Sequence, residues 1–423
     1  MLAAAAVLAL SLLAGCSSGT SAGSSGKTLT VWWFEDPGSA MGQSWKSALD
    51  DFKTAHPGVT VKFEFKTAQQ MSTAGALILN SSSAPDVMEY GKGNATAGLV
   101  ASKGLLTDLT SVATSKGWSK TLSASDLALG RYNSKGIFGS GPLYGIPTYG
   151  EFVSFFYNKD MFAKYNIQVP ATLSDLESAM ANFKSLNITP LAYAAKDFPA
   201  QHLVYGLALS KANATWLSNY QALKAPLNSA PYLYAARTVQ YWVDKGYISP
   251  NSVGEAADDM NRDFTSGTMP MMYGGSWNDG DFKTSITKFK WGQFLFPGNT
   301  YSPASTGNIW VVPIAAKNKT LAYDFINETL SMKSQNIMGN AGGVPIAANA
   351  SAVSDPIGKD LASTFSRLSS SNGLGFYPDW PVPGYYDLLL AKTQGLVGKT
   401  ESPQQFVDAI TAPYNQVQSA SAK

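Results

Sequence analysis

TLTVWWF, residues 28–34, is a short run of β-branched and aromatic residues bounded by Gly26 and Pro37. This composition and length predict a buried strand. An amphipathic helix is predicted next, because apolar residues recur there at helical spacing: Met41, Trp45, Ala48, Leu49 and Phe52. The helix should end at His56, since proline at 57 disfavours helical geometry in the residue before it.

The following residues repeat this alternation of strands and helices. Residues 59–65 alternate apolar and polar side chains, residues 71–79 are helical in pattern, and residues 86–90 again predict a strand. The order βαβαβ is typical of a mostly parallel sheet covered by helices. In such sheets the ligand-facing residues follow the carboxyl ends of the strands, here at residues 33–36 and 89–91.

A second group of predicted elements indicates a second α/β lobe. Strands are predicted at residues 152–157 and 190–194 and helices at residues 174–186, 232–245 and 320–332. A chain of 423 residues is long enough for two or three domains. The predicted fold class is therefore α/β with two lobes.

Composition excludes one class of partner and favours another. With 31 Lys and Arg against 29 Asp and Glu, the net charge is only +2, and no basic block indicates nucleic-acid binding. Aromatic residues reach 12% while charged residues are only 14% of the chain. Such an excess of flat amphipathic side chains suggests surfaces on which rings stack against a ligand.

The N-terminus predicts export and a lipid anchor. Residues 1–15 form an apolar run too short to span a bilayer but suited to a signal peptide, and the sequence LAGC at 13–16 resembles a bacterial lipobox. Cys16 would then carry diacyl lipid such as palmitate on the outer face of the cell membrane, and residues 17–26 would form a flexible tether. The alternative is an ordinary signal peptide with a chance cysteine. The sequence also departs from the usual export signal, because no basic residue precedes the apolar run.

The sequence contains few residues suited to a metal site, a cofactor site or catalysis. Two His and one Cys in the whole chain argue against a metal site, and no cofactor motif is present in a suitable context. A glycoside hydrolase using Glu35 with a distant carboxylate such as Asp86 or Asp279 stays open as an alternative. We favour a protein that is not an enzyme and whose carboxylates accept hydrogen bonds from hydroxyl groups.

Several motifs, in this order and at this spacing, resemble the carbohydrate-specific, family 1 extracellular solute-binding proteins of bacterial ABC importers. They are LYGIP at 143–147, FYNKDMF at 156–162, FTSGTMPMM at 264–272 with GGSW at 274–277, PDV at 85–87, and Gly307-Asn308 leading to a helix with Ala322 and Phe325. The resemblance implies a two-lobed periplasmic-binding-protein-like fold with hinge-linked lobes and a central ligand cleft.

By this resemblance the N-terminal lobe comprises residues 27–147 plus 298–345. The C-terminal lobe comprises residues 148–297 plus 346–423. The ligand would be a sugar, because a pyranose offers an apolar face to aromatic rings and a rim of hydroxyl groups to polar side chains.

The expected ligand-binding residues follow the predicted strands, the crossover, the Gly-Ser-Trp loop and an aromatic, proline-rich loop near residue 380. They are Trp33, Glu35, Asp36, Asp86, Tyr149, Gly275, Ser276, Trp277, Asp279, Asn308, Trp380 and Tyr385. Alternative roles are open for two of them, since Asp86 could cap a turn and Trp277 could be a packed loop residue. Asp197, Phe198 and His202 are further candidates, whereas Trp45, Trp216 and Trp242 lie on helical patterns and are expected to pack in the core or on the surface.

The predicted function is capture of a sugar, a di- or oligosaccharide, by a monomeric lipoprotein that delivers it to the permease subunits of an ABC importer. Two alternatives remain from the sequence. One is a surface glycoside-active enzyme, and the other is the same binding fold with a non-sugar cargo such as a polyamine, because aromatic pockets also hold cations.

Overall fold

The computed structural model describes residues 27–348 and 351–422. The predicted signal peptide, Cys16 and the tether therefore lie outside the described residues. Within them, no helix combines the length and apolar character that a membrane crossing requires.

The described residues contain strands and helices in alternation through most of their length. The strands are β1 Thr28–Trp33, β2 Thr60–Phe65, β3 Val87–Tyr90, β4 Arg131–Tyr132, β5 Phe138–Leu143, β6 Gly145–Pro147, β7 Tyr149–Asn158, β8 Leu191–Ala192, β9 Met271–Gly275, β10 Trp291–Phe294, β11 Ala304–Thr306, β12 Ile309–Val311 and β13 Val344–Pro345.

The α-helices, in the same order, are α1 Ala40–Ala55, α2 Ala68–Leu79, α3 Leu99–Ser102, α4 Thr110–Ser115, α5 Trp118–Thr121, α6 Ala124–Ala128, α7 Lys159–Lys164, α8 Leu173–Ser185, α9 Ala200–Leu209, α10 Ala214–Gln221, α11 Ala230–Asp244, α12 Ala257–Thr265, α13 Asp279–Ser285, α14 Lys319–Thr329, α15 Met332–Asn340, α16 Pro356–Ser370, α17 Tyr385–Val397 and α18 Pro403–Ala422. A π-helical turn spans Asn94–Gly98, and 3₁₀ turns span Pro250–Gly254 and Ser276–Asn278.

The first sheet has the order β2-β1-β3-β12-β6. Strand β1 pairs in parallel with β2 and β3, which confirms the βαβαβ unit, while β12 runs antiparallel to both β3 and β6. Leu29, Val31 and Trp33 alternate along β1 and pack into one core with α1 and α14. On the other face, the partly buried Trp32 and Phe34 pack with Met71 and Leu79 of α2, so helices cover both faces of the sheet.

The second sheet has the order β10-β7-β9-β8 and differs from the mostly parallel arrangement predicted. Only β8 and β9 are parallel, whereas β7 is antiparallel to β9 and β10. Strand β7 is long and almost entirely buried, and its side chains divide by alternation between two cores, with Phe155 on one face and Phe156 on the other. The two sheets confirm the predicted two-lobed α/β fold.

Three segments carry the chain between the sheets. The first is Thr148, between β6 and β7. The second is Gly307-Asn308, between β11 and β12, and the third joins α15 to β13.

Strands β11 and β13 pair with β7, in the second sheet. Residues 304–306 and 344–345, which the sequence prediction places in the N-terminal lobe with the rest of 298–345, thus pair with the sheet of the other lobe. Strand β11 is only three residues long, too short for its sheet to be read from sequence.

Candidate ligand-binding site

A cavity of about 490 Å³ lies between the two lobes, beside the crossing segments. Its volume is within the range of small-molecule sites, about 300 to 1,000 Å³. Residues from the strand ends, the crossings and the loop near residue 380 line it: Phe34, Glu35, Met41, Gly91, Lys92, Thr96, Tyr149, Gly150, Glu151, Phe198, Ser276, Trp277, Asn308, Gly343, Val344, Tyr377, Asp379, Trp380 and Tyr386.

Polar side chains from both crossings meet at one wall of the cavity. The Tyr149 hydroxyl donates a 2.7 Å hydrogen bond to Oε1 of Glu35, and Nδ2 of Asn308 donates to the same oxygen at 3.1 Å. The backbone N–H of Asn308 in turn donates to the Tyr149 hydroxyl at 3.0 Å. Gly307 permits this packing, because a Cβ there would lie 2.0 Å from the Tyr149 ring.

An ion pair crosses the cavity between the lobes. Nζ of Lys92, which follows β3, lies 2.6 Å from Oε1 of Glu151 on β7, and the side chains are 3% and 11% exposed. The same ammonium lies 5.5 Å from the ring centre of Tyr377 and 5.4 Å from that of Trp380. Buried charge is thus neutralised by a carboxylate and held against two ring faces.

Burial shifts the remaining carboxyl groups toward their neutral forms. Burial raises the pKa of Glu35, opposed by the hydrogen bond from Tyr149 and reinforced by the charge of Glu151. The pKa of Glu89, behind Glu35, is raised further by burial and by the charge of Glu35. Burial also raises the pKa of Asp379 to about 6, so this group is mostly ionised at pH 7.

Three aromatic rings form a second wall, and we call Phe198, Trp277 and Tyr386 the ring cluster. Phe198 lies 5.4 Å from Trp277 and 6.2 Å from Tyr386 between ring centres, and the planes of Phe198 and Tyr386 differ by only 13°. Tyr386 is 42% exposed, and Trp277 is half-buried against the cores of both lobes. These ring faces are available for stacking.

Six predicted ligand-binding residues line this cavity: Glu35, Tyr149, Ser276, Trp277, Asn308 and Trp380. Trp380 is only 4% exposed, and its ring stacks on Phe376 with 5.6 Å between ring centres. The ring therefore packs in the core of the second lobe and also borders the cavity. Whether these residues bind the ligand stays a prediction.

Three predicted residues from the first lobe lie elsewhere. Trp33 is 3% exposed and stacks on Phe63 at 4.8 Å, in the core. Asp36 is exposed, and its Oδ1 accepts from the N–H of Gly38. Asp86 is buried and accepts from the N–H groups of Thr30, Lys317 and Asn318, so it ties β1 to the start of α14.

Three predicted residues from the second lobe also lie outside the cavity lining. Asp279 is fully buried and bonded to Gln293, and burial raises its pKa well above the usual value. The Tyr385 hydroxyl donates to the Ile410 carbonyl in the core, while its neighbour Tyr386 faces the cavity. Gly275 makes room for the Trp277 ring, since a Cβ would lie 2.1 Å from it.

The cavity lining also includes residues absent from the set expected from the sequence, chiefly Lys92, Glu151, Asp379 and Tyr386. Lys92 follows β3 after Gly91, one residue beyond the strand end at 89–91 to which the rule of strand ends pointed. Glu151 is two residues after the expected Tyr149, and Tyr386 is next to the expected Tyr385. Of the two packing roles open for Trp45, Trp216 and Trp242, the structure has all three in the core, and His202 is fully buried beside Phe198.

No group of three His, Cys, Asp or Glu side chains that could hold a metal ion occurs in residues 27–348 and 351–422. The chemistry available in the cavity is hydrogen bonding to carboxylate, amide and hydroxyl groups, together with stacking on aromatic rings.

The model of the family described as bacterial extracellular solute-binding protein matches residues 36–336 of the chain. A chitin oligosaccharide binding protein has a similar structure, with a TM-score of 0.78, 19% identity, and coverage of 93% of this chain and 99% of that chain. The GacH receptor of Streptomyces glaucescens GLA.O, solved unliganded and with acarbose, has a TM-score of 0.73, 19% identity, and coverage of 93% and 98%.

SBP RafE, solved in complex with raffinose, has a TM-score of 0.74, 18% identity, and coverage of 92% of this chain and 99% of that chain. At these identities the similarity shows the fold. No match was found among curated protein sequences.

Proposed function

The chain belongs to the family of bacterial extracellular solute-binding proteins, and from this premise we propose that it captures a di- or oligosaccharide between its lobes and delivers it to an ABC importer. Membership in this family confirms the resemblance noted in the sequence. It makes the protein a receptor for a solute rather than an enzyme.

One observation carries the proposal of a sugar ligand. The ring cluster faces an interlobe cavity whose other wall holds Glu35, Glu151 and Asn308. Rings suit the C–H face of a pyranose, and carboxylate and amide groups suit its hydroxyl groups. The chitin oligosaccharide, acarbose and raffinose bound by similar structures support the same class of ligand.

Capture would proceed by closure of the two lobes about the three crossing segments. A ligand shifts this equilibrium only if it binds the closed form more tightly. The cavity is suited to such coupling, because Glu35 and Lys92 belong to the first lobe while Trp277 and Trp380 belong to the second. The closed form, as a monomer, would then be recognised by the permease.

Calorimetric titration with a panel of mono-, di- and oligosaccharides tests the proposed cargo. Binding of at least one sugar is expected, with the sugar recovered intact after prolonged incubation. Binding of a peptide or metal ion, with no response to any sugar, would contradict the proposal, and cleavage of the sugar would indicate a glycoside-active enzyme.

Anchoring is proposed through Cys16, which lies outside the described residues. Expression of the full chain and of Cys16→Ala in a bacterial host, followed by membrane fractionation and mass spectrometry of the N-terminal peptide, tests it. Diacylated Cys16 in the membrane fraction is expected. Release of both proteins alike into the medium would rule the lipid anchor out.

A further inference from the structure

The two lobes also touch each other through residues that belong neither to the three crossings nor to the cavity lining. The first lobe contributes Asn94, which follows β3 and begins a π-helical turn whose Ala97 packs in a core with Tyr90. The second lobe contributes Gln221, the last residue of α10, whose neighbour Tyr220 packs in the core of that lobe. Neither Asn94 nor Gln221 lines the cavity.

The side chain of Asn94 is hydrogen-bonded to both lobes at once. Its Oδ1 accepts from the N–H of Phe138, the first residue of β5, at 2.9 Å, and its Nδ2 donates to the carbonyl of Gln221 at 2.9 Å. Carbonyl groups in the last turn of a helix have no partner within the helix, and Asn94 supplies one for α10. Asn94 is only 7% exposed, so the loss of either bond would leave a buried polar group unpaired.

Two further contacts join the lobes beside Asn94. The N–H of Ala95 donates to the carbonyl of Trp380 at 3.0 Å. The ring of Phe138 lies 5.2 Å from that of Phe376 and 6.2 Å from that of Trp380, between ring centres. Gly93 permits this approach, because a Cβ there would lie 2.7 Å from Cγ of Trp380. We call these residues the interlobe contact: Asn94, Ala95 and Phe138 with Gln221, Phe376 and Trp380.

The hydrogen bonds of the interlobe contact are sensitive to the angle between the lobes. A bond of 2.9 to 3.0 Å is lost once its atoms move apart by about 1 Å more. Rotation of one lobe about the crossings displaces every group that lies off the rotation axis, so opening breaks the bonds of Asn94 and Ala95 to the second lobe. Both bonds join protein atoms directly. They therefore favour the described arrangement of the lobes over a more open one.

We propose that the interlobe contact is a latch that holds the lobes closed and gives the protein a closed population before a sugar binds. This inference rests on the proposed function and names how closure of the same cavity is controlled. Asn94 is then a positioning residue, which acts on the sugar through the closed form rather than by contact. Because apparent affinity scales with the fraction of protein in the binding-competent form, loss of the latch should weaken binding.

Electron spin resonance measurements of the distance between two spin labels, one on each lobe, test this. The labels are attached at Lys103→Cys in the first lobe and Lys245→Cys in the second, both at exposed positions. The full chain also carries Cys16→Ala, which removes its single native cysteine. Before sugar is added, this protein should have a closed population with the label separation of the described structure.

Two substitutions separate the bonds of Asn94. Asn94→Asp keeps the acceptor for Phe138 and removes the donor to Gln221, while Asn94→Ala removes both. At pH 8, where the introduced carboxyl group ionises, each should lower the ratio of closed to open protein about fivefold or more, since a buried carbonyl is left unpaired. Asn213→Asp is the matched control, because it adds the same charge before α10 and keeps the oxygen that accepts from the N–H of Trp216.

Calorimetry with chitobiose, maltotriose and raffinose extends the test to binding. For each of these sugars that the wild type binds, both Asn94 variants should lose affinity by about the same factor as the closed population, and Asn213→Asp should bind normally.

The other outcomes separate the latch from the proposed function. A wild type with no closed population, or an unchanged ratio in folded Asn94 variants, would overturn the latch and leave sugar capture intact. Loss of the fold in both Asn94 variants, detected by circular dichroism, would make Asn94 a folding residue and also overturn the latch. No response to the whole sugar panel, with the expected shift in the Asn94 variants, would overturn the proposed function and leave the latch.

Discussion

The hydroxyl group of Tyr149 donates a 2.7 Å hydrogen bond to Oε1 of Glu35, and this bond joins the two lobes at their first crossing. Tyr149 begins β7 of the second sheet, while Glu35 follows β1 of the first. Both residues line the interlobe cavity. The crossing therefore forms part of the wall against which a ligand would rest, so binding and hinge geometry share the same atoms.

Tyr149→Phe removes this hydroxyl and should weaken both folding and ligand binding. The Asn308 N–H also loses its partner, so the free energy of unfolding should fall by about 1 to 3 kcal/mol, the range for a buried hydrogen-bonding group left unpaired. Urea denaturation and calorimetry measure the two effects. Tyr323→Phe, on the half-buried surface of α14, is the matched control. If both variants have the same free energy of unfolding and the same sugar affinity, the Tyr149 hydroxyl has no special role at the crossing.

Trp277→Ala should reduce sugar affinity at least tenfold with a small loss of stability, because its half-buried ring lines the cavity. Trp216→Ala is the matched control: its ring is 7% exposed in the core of the second lobe, away from the cavity lining. That control should unfold at lower temperature and still bind. Trp380→Ala should both weaken sugar binding and lower the melting temperature, since its ring lines the cavity and is only 4% exposed. Trp277→Ala with normal affinity and a lowered melting temperature would make Trp277 a packing residue.

Lys92→Met should destabilise the protein by about 3 to 5 kcal/mol, because it leaves Glu151 without its cation in a largely buried site. The double variant Lys92→Met with Glu151→Gln should recover much of this loss. Urea denaturation of the single and double variants measures the coupling. If the two losses simply add, the ion pair makes no energetic contribution of its own.

The buried imidazole of His202 should make the protein less stable in mild acid. Burial lowers its pKa from 6.5 to about 3, so between these values the unfolded chain binds a proton that the native protein does not. Stability from this group is therefore complete above about pH 6.5 and falls as the pH drops, by roughly 2 kcal/mol at pH 5.

Urea denaturation of the wild type and of His202→Phe at pH 7 and pH 5 measures this effect. Phenylalanine keeps a ring against Phe198 and Tyr377, which lie 4.8 and 4.6 Å from the imidazole centre. The variant should lose less stability between the two pH values. An identical loss in both proteins would show that His202 does not titrate on unfolding.

Patterns along the sequence predicted those parts of the fold and site that depend on residues close together in the chain. The βαβαβ unit followed from periodicity, and Glu35 followed from the rule that strand ends face the ligand. Trp33 lies in the core for a reason visible in the sequence, because alternation along β1 places its side chain with those of Leu29 and Val31.

The remaining site residues depend on contacts between distant segments. Lys92 and Glu151 are 59 residues apart in the chain, and Asp379 lines the same cavity as Phe198 and Trp277 although the three are distant in sequence. Neither periodicity nor composition encodes such pairings. Asp86 illustrates the same limit, since its partners at Lys317 and Asn318 make it a structural cap of α14 rather than a cleft residue.

The most direct test of sugar capture between closing lobes is small-angle X-ray scattering of the protein before and after saturation with the sugar that calorimetry identifies. The account predicts a smaller radius of gyration on binding, and a Trp277→Ala protein that needs at least tenfold more sugar for the same change. Tight binding with an unchanged radius of gyration, or a Trp277→Ala protein that responds at the same sugar concentration as the wild type, would contradict capture in the interlobe cavity.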